Sequence, residues 1–169
     1  MKIISLIGYS GSGKTHFILN AIKLLKKNLN YEVAVVKNIH EHQIDEENKD
    51  SFKYGEAGAK FSITKNVNNE TTIFLKNRIS IERLLEWLTN GPYKIDIVFI
   101  EGFRNLDYPI ILCIKEWKDL ESQLNDKVKM ISGLICSKDI NESKEAKQNI
   151  PIIDIQKEFE KFLEIFKID

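Results

Sequence analysis

Residues 8–15 have the composition and spacing of a loop that binds phosphate. They read GYSGSGKT and match the pattern G-x-x-x-x-G-K-[ST]. Glycines permit backbone angles that let consecutive N–H groups converge on phosphate oxygens at the positive end of a helix. Lys14 would reach the β- and γ-phosphates, and the Thr15 hydroxyl would be a Mg²⁺ ligand. The predicted nucleotide-binding residues are Gly8, Ser10, Gly11, Ser12, Gly13, Lys14, Thr15 and His16.

The flanking sequence places this loop between a strand and a helix. The short apolar run before the loop predicts a strand buried on both faces. After the loop, apolar residues recur at i, i+3, i+4, i+7 and i+11, which is one face of a helix. Strand, glycine-rich loop and helix therefore follow in the order that the motif requires. The helical positions are Ile18, Ala21, Ile22, Leu25 and Leu29.

Acidic residues that follow two predicted strands are candidates for metal binding and catalysis. Glu101 ends an apolar run, where phosphate-loop proteins place an acidic residue that holds Mg²⁺ or its waters. Asp is usual there, and because Glu is one methylene longer, it favours contact with Mg²⁺ through water. Asp45 and Asp50 lie in the loop after the second strand and could face the γ-phosphate and the metal if that strand neighbours the first. We therefore expect Thr15, Glu101 and Asp45 as metal candidates, and Asp50 and Glu101 as candidates for catalysis.

Strands and helices alternate along the chain, which indicates the class of fold. Short runs rich in Ile, Val and Leu predict strands, and helical spacing of apolar residues predicts helices. Buried strands alternating with helices predict a P-loop NTPase three-layer α/β sandwich with a mainly parallel central sheet. The predicted strands are 2–8, 31–37, 61–64, 71–76, 95–102, 109–115, 130–136 and 151–154; the predicted helices follow Lys14, cover 51–60, follow the N-cap Ser80 and run from Ile155 to Phe166.

Length and topology predict where the ligand would bind. At 169 residues the chain is expected to form one nucleotide-binding domain, 1–169, with a strand-rich projection at about 61–77. Ligands of parallel sheets bind at the carboxyl ends of the strands. That rule directs attention to residues 37–50, 101–104 and 137–139, each of which follows a predicted strand.

Charge and cysteine usage limit the classes of partner. Lys+Arg and Asp+Glu are both 25, so no overall field attracts nucleic acid or an anionic membrane. No apolar run approaches the roughly 18 residues of a membrane span. Cys113 and Cys136 lie in apolar runs, where free cysteines are typical of proteins in a reducing compartment. The expectation is a cytoplasmic protein that binds neither nucleic acid nor membrane.

The base of the nucleotide cannot be assigned from the residues. The segment LICSKDI at 134–140 stands where GTP-specific proteins carry N-K-x-D. Here Lys138 is followed directly by Asp139, so the spacing differs by one residue. GTP and ATP both stay open at this point.

Several segments together resemble one family, molybdopterin-guanine dinucleotide biosynthesis protein B, or MobB. Their order and approximate separations match the family up to about residue 115. The chain departs at Asn38, Asn48 and Arg104, where the family tends to have His, Gly and Lys, and His16 replaces a second threonine. The matching segments are the phosphate loop, Lys37 and His40 of KNIH, KDS at 49–51, AGA at 57–59 and EGF at 101–103.

The resemblance implies a GTP-binding adaptor with weak GTPase activity and Mg²⁺ as cofactor. It also implies a homodimer that assists a molybdenum cofactor guanylyltransferase, the enzyme that joins GMP to molybdopterin, with molybdopterin itself as a further candidate ligand. The strand-rich projection offers an edge at which two copies could pair. No arginine finger or water-orienting glutamine is evident beside the loop, which predicts slow turnover.

Two other functions stay open from the residues, a small-molecule kinase using ATP or GTP and a metal-delivery GTPase. A kinase is disfavoured because Arg78, Arg83 and Arg104 are the only arginines and form no lid segment. Metal delivery is disfavoured because Cys113 and Cys136 are far apart in the sequence, and His40 with His42 lacks a third ligand.

Overall fold

The computed structural model describes residues 1–40, 42–137 and 150–169. The chain divides into two compact units, one formed by Met1–Asn38 with Gly91–Asp169 and the other by Ile39–Asn90. Among the described residues, no helix combines the length and the apolar composition that crossing a membrane requires.

The described residues form thirteen elements of secondary structure. The strands are β1 (Lys2–Ile7), β2 (Val33–Lys37), β3 (Ser62–Lys65), β4 (Thr71–Phe74), β5 (Ile97–Glu101), β6 (Ile110–Cys113) and β7 (Val128–Ser132). The helices are α1 (Lys14–Leu29), α2 (Asp50–Glu56), α3 (Ile81–Thr89) and α4 (Phe159–Phe166), with short 3₁₀ helices at Trp117–Asp119 and Leu134–Ser137.

The first unit is built on a five-stranded parallel sheet in the order β2-β5-β1-β6-β7. All residues of β5 and β6 are buried, as expected for strands covered on both faces. The mostly parallel central sheet flanked by helices confirms the predicted fold class. Because β5 lies between β1 and β2, the register places Lys37 beside Glu101 and Leu6 on its other side. The carboxyl ends of these strands therefore lie together.

Helix α1 packs its predicted apolar face into the core. Ile18, Ala21 and Leu25 are buried, and Phe17 meets Phe162 of α4 edge to face with ring centroids 5.9 Å apart. This packing confirms the periodicity predicted after Lys14. Such aromatic pairs contribute about 0.5–1.5 kcal/mol beyond the area that they bury.

Three predicted boundaries in the first unit are wrong. The strand predicted at 130–136 ends at Ser132, because Gly133 has a φ of +96° and breaks the extended backbone before the 3₁₀ helix. The strand predicted at 151–154 forms only an isolated bridge between Ile152 and Ile131. The last helix begins at Phe159 and not at Ile155, because the N–H groups of Lys157 and Glu158 both donate to Asp154 in a turn.

The second unit contains α2, α3 and an antiparallel hairpin of β3 and β4. Ser80 caps α3 as predicted, and its hydroxyl accepts a hydrogen bond from the N–H of Arg83 at 3.3 Å. In the hairpin Ile63 pairs with Ile73, and these side chains are 63% and 42% exposed. The hairpin therefore presents an apolar pair to solvent, within the region where the sequence predicts a strand-rich projection.

Candidate phosphate-binding site

The predicted phosphate loop joins β1 directly to α1. Gly8, Gly11 and Gly13 all have positive φ values, of 148°, 71° and 97°. At Gly8 the requirement for glycine is also steric, since a Cβ would lie 2.2 Å from the carbonyl oxygen of Cys113. The pattern of glycines thus reflects the backbone path that carries the chain from the strand end into the 16-residue helix.

The Lys14 side chain folds back over the loop. Its Nζ donates to the carbonyl oxygens of Gly8 and Tyr9, at 2.9 and 2.8 Å. Burial lowers the pKa of Lys14, and the Glu101 carboxylate acts in the opposite direction. An ammonium group has three N–H donors, so one stays available for an anion above the loop.

Thr15, Glu101 and Lys37 meet at the carboxyl ends of the central strands. Glu101 Oε1 accepts a hydrogen bond from Thr15 Oγ1 at 3.3 Å and lies 3.6 Å from Lys37 Nζ. The Glu101 side chain is only 7% exposed, whereas that of Lys37 is 49% exposed. The buried carboxylate is thus held by a hydroxyl donor and compensated by a partly solvated cation. The structure brings together Lys37 and Glu101, which are far apart in the sequence.

The residues present fit a phosphate group and Mg²⁺. Ser12 Oγ is buried and has no hydrogen-bond partner in the structure, which leaves a polar group within the loop for a ligand to satisfy. The loop leads into the positive end of α1, which favours anions. Thr15 and Glu101 supply hydroxyl and carboxylate oxygens, the ligand type that Mg²⁺ prefers. A bound Mg²⁺ would neutralise charge on the phosphates.

Arg104 lies beside the loop, a placement that the sequence analysis did not predict. Its Cζ lies 5.6 Å from the centre of the Tyr9 ring, and Nη2 donates to Gln123 Oε1 at 3.1 Å. Gln123 is only 4% exposed and donates in turn to the carbonyl oxygen of Asp119 at 3.1 Å. An arginine and a glutamine therefore do lie near the loop, and they are hydrogen-bonded to each other. The sequence signal was that Arg104 belongs to the segment 101–104, which follows a predicted strand.

The backbone that follows β7 is hydrogen-bonded to the phosphate loop, a contact that the sequence analysis did not predict. The N–H of Leu134 donates to the carbonyl oxygen of Ser12 at 3.0 Å. Gly133 allows this approach, because a Cβ there would lie 2.3 Å from the same oxygen. The sequence analysis predicted a strand over 130–136 and therefore gave no reason to expect this contact.

Three other predicted site residues have partners close to them in the sequence. Asp45 and Asp50 belong to the second unit: Asp45 Oδ1 accepts from Ser51 Oγ at 2.9 Å, and Asp50 pairs with Lys53 at 3.4 Å. His16 is exposed, with its Nε2 3.0 Å from Asn20 Nδ2. The roles assigned to Asp45, Asp50 and His16 stay predictions.

Two further points of the sequence analysis concern the base of the nucleotide and a cluster of side chains that could bind a metal ion. Lys138 and Asp139, which stand near the place of a guanine-reading motif, lie outside the described residues. In the part of the chain that the structure describes, no three His, Cys, Asp or Glu side chains come together in a group that could hold a metal ion.

A comparison with protein families gives one match that covers most of the chain. The model of the family described as molybdopterin guanine dinucleotide synthesis protein B matches residues 3–137. A Methanocaldococcus jannaschii protein named as a candidate molybdopterin-guanine dinucleotide biosynthesis adapter protein is 35% identical over 136 residues, 78% of this chain. The molybdopterin-guanine dinucleotide biosynthesis adapter protein of Haemophilus influenzae is 32% identical over 117 residues, 66% of this chain. The matches span 54% and 62% of the length of these two relatives.

Solved structures of similar fold carry related names. The crystal structure of Bacillus subtilis MobB superposes with a TM-score of 0.74 at 21% identity, and the match covers 100% of both chains. A MobB protein homolog from Bacillus stearothermophilus gives a TM-score of 0.70 at 17% identity over 98% of both chains. At these identities the likeness supports the fold alone.

Proposed function

The chain belongs to the molybdopterin guanine dinucleotide synthesis protein B (MobB) family, and from that premise we propose that it is a GTP-binding adaptor for molybdenum cofactor biosynthesis. In this proposal it assists a guanylyltransferase that joins GMP to molybdopterin. The observation that carries the nucleotide part is the convergence of Lys14, Thr15 and Glu101 at the phosphate loop. The pathway and the partner follow from the family and from the names of the relatives.

Each residue of the site has a role in this proposal. The backbone of the loop and Lys14 bind the phosphates, and the buried Ser12 hydroxyl gains a partner there. Thr15 and Glu101 hold Mg²⁺, with Glu101 acting through a water. His16, Asp45 and Asp50 stay as further candidates.

We propose that hydrolysis by the isolated protein is slow. Fast phosphate-loop hydrolases use an arginine that stabilises the transition state, worth about 10³–10⁵ in rate, and a residue that orients water. Here Arg104 Nη2 donates to Gln123 Oε1, and this contact directs the two side chains toward each other. This arrangement fits an adaptor whose nucleotide is held and not rapidly turned over.

Calorimetry with GTP and ATP side by side, each with Mg²⁺, tests the proposed function. We expect tighter binding of GTP, and hydrolysis slower than about one turnover per second for the protein alone. Equal affinity for the two nucleotides would contradict guanine specificity. Faster hydrolysis would contradict the adaptor function while leaving nucleotide binding in place.

Glu101→Gln should weaken GTP binding more in Mg²⁺ than in EDTA. Glutamine preserves the shape of the buried side chain but removes the charge that favours a hydrated Mg²⁺. Titrations of both proteins in the two buffers measure this difference. Asp96→Asn, a carboxylate-to-amide change just before the start of β5, is the control and should show no dependence on Mg²⁺. Equal weakening in both buffers would show that Glu101 does not act through the metal.

We propose that the protein is a homodimer that pairs through the β3–β4 hairpin. Within the described part of the chain, each strand of this two-stranded sheet has one edge without a strand partner. Ile63 and Ile73 are exposed on the hairpin, and Val67 at its turn is 96% exposed. A two-fold contact would let the same edge and the same apolar residues serve both copies, and it would bury them from water.

Ile63→Asp should convert the dimer to a monomer, because the contact would then bury a carboxylate without a partner. Light scattering at micromolar concentration measures the mass of each variant. Leu19→Asp is the matched control, since Leu19 is a 53% exposed apolar residue on α1. A monomeric mass for the unaltered protein would refute the dimer, and a dimeric Ile63→Asp variant would refute its location.

We also propose that the protein acts in the reducing environment of the cytoplasm. Cys113 and Cys136 are both free. Burial raises the pKa of Cys113 to about 12, so it is a packing residue and not a reactive thiol. Two unpaired cysteines support an environment in which disulfides do not form.

A further inference from the structure

Lys37 has no role in the proposed nucleotide site, although it lies beside one of its residues. It is the last residue of β2, and its Nζ is 3.6 Å from Glu101 Oε1. Among the described residues, this carboxylate is the one partner of the Lys37 ammonium group. The Lys37 side chain is also half exposed, so a single contact with Glu101 keeps it in place.

The strand order places Lys37 beyond Glu101 as seen from the phosphate loop. The loop follows β1, β5 pairs with β1, and β2 pairs with β5. Neighbouring strands are about 5 Å apart, so the backbone of Lys37 lies about 10 Å from that of β1. Lys14 and Thr15 begin α1 and would bind the phosphates and the metal closest to the loop. The Lys37 side chain is therefore placed to meet the far end of a bound phosphate chain.

Positive charge exceeds negative charge around the loop. Burial is the main cause of the lowered pKa of Lys14, and the charges of Lys37 and Arg104 lower this pKa further. The carboxylate that acts on Lys14 in the opposite direction is Glu101. Three cations therefore lie near one carboxylate, and a chain of phosphates would neutralise the excess of positive charge.

Two of these cations differ in how firmly they are held. The Arg104 Nη2 donates to Gln123 Oε1 at 3.1 Å, and its Cζ lies 5.6 Å from the centre of the Tyr9 ring. These two contacts fix the charge of Arg104, so it acts on any anion in the loop. Lysine carries its three N–H donors on a long flexible stem. Lys37 would lose its hold on Glu101 once that carboxylate faces a metal ion, and its ammonium would then be available to an anion.

We propose that Lys37 binds the third phosphate of a nucleotide held at the loop, so that the site discriminates nucleoside triphosphates from diphosphates. This inference rests on the proposed function, since it requires a nucleotide at the loop. Without nucleotide, Lys37 pairs with Glu101. With a triphosphate, its ammonium moves to the outermost phosphate. A diphosphate ends short of Lys37 and lacks this charge-assisted hydrogen bond.

Calorimetry of the full chain in Mg²⁺ tests the proposal, with GDP and with a GTP analogue in which nitrogen replaces the oxygen between the β- and γ-phosphates. The unaltered protein should bind the analogue more tightly than GDP. Lys37→Ala should lower the affinity for the analogue by about tenfold or more, and that for GDP much less. Lys37→Arg retains the charge and should retain most of the preference. Lys26→Ala is the matched control, because Lys26 pairs with Glu32 at the other end of α1, and it should change neither affinity.

The ratio of the two affinities separates a phosphate contact from a structural role. If Lys37 only stabilised Glu101, Lys37→Ala would lower both affinities by the same factor, and this result would overturn the proposal. Arg104→Ala should lower both alike, whereas a loss confined to the analogue would assign the discrimination to Arg104. Equal affinity of the unaltered protein for GDP and the analogue would overturn the role of Lys37 and leave the proposed function in place. Binding of neither nucleotide would contradict the proposed function itself, and the role of Lys37 with it.

Discussion

Replacing Lys14 by alanine should strongly weaken GTP binding. The Nζ of Lys14 is anchored on the carbonyl oxygens of Gly8 and Tyr9, so its charge is fixed above the loop. A charge-assisted hydrogen bond is worth about 1.5–3 kcal/mol, so affinity should fall roughly tenfold to a hundredfold or more. Calorimetry in the presence of Mg²⁺ measures the change. Unaltered affinity for both GTP and ATP would show that the loop is not the nucleotide site.

The same substitution should leave the fold intact. It removes two hydrogen bonds from a charged donor to carbonyl oxygens, each worth about 1.5–3 kcal/mol. It also removes a charge that is partly desolvated, which is the main reason why the pKa of Lys14 is lowered. These two effects oppose each other, so the urea midpoint should change little. Lys23→Ala, at an exposed position of the same helix, is the control for both measurements and should alter neither.

Gly133→Ala should both destabilise the protein and weaken nucleotide binding. Gly133 has a φ of +96°, and a Cβ there would lie 2.3 Å from Ser12 O and 3.0 Å from Ile114 O. The left-handed backbone costs about 1–2 kcal/mol for a residue with a side chain, and relieving the clash costs about 1–3 kcal/mol more. The free energy of unfolding should fall by about 2–5 kcal/mol. Because Ser12 belongs to the loop, its displacement should also reduce affinity for GTP.

Gly11→Ala separates the clash from the backbone strain. Gly11 also has a positive φ, of +71°, but a Cβ there would meet no atom within 4 Å. Urea unfolding of both variants should show a clearly larger loss for Gly133→Ala. A difference smaller than about 0.5 kcal/mol between them would mean that the close approach of Gly133 to the loop is unimportant.

The sequence was sufficient for features that depend on neighbouring residues. Three glycines, a lysine and a threonine at fixed spacing specify the loop, and the apolar stripe after them specifies α1. Ser80 at the start of α3 was predictable for the same reason, because a cap and its helix are adjacent in the chain. The alternation of buried strands and helices was sufficient for the fold class.

Boundaries failed where a local turn competed with the apolar pattern. Gly133 interrupts a run that is apolar on both sides, and Ile155 is buried without being helical. The spacing of apolar residues indicates which side chains are buried, but it does not indicate which backbone conformation places them in the core. The apolar pattern alone therefore extended a strand and a helix too far.

The contacts that complete the site depended on the tertiary structure. Thr15 and Glu101 are 86 residues apart and meet only because β5 pairs with β1. Lys37 reaches the same carboxylate because β2 lies on the other side of β5. Arg104 is placed by a buried glutamine 19 residues further along the chain. Sequence spacing determines which residues share one loop or one helix face, whereas strand order determines which distant residues become neighbours.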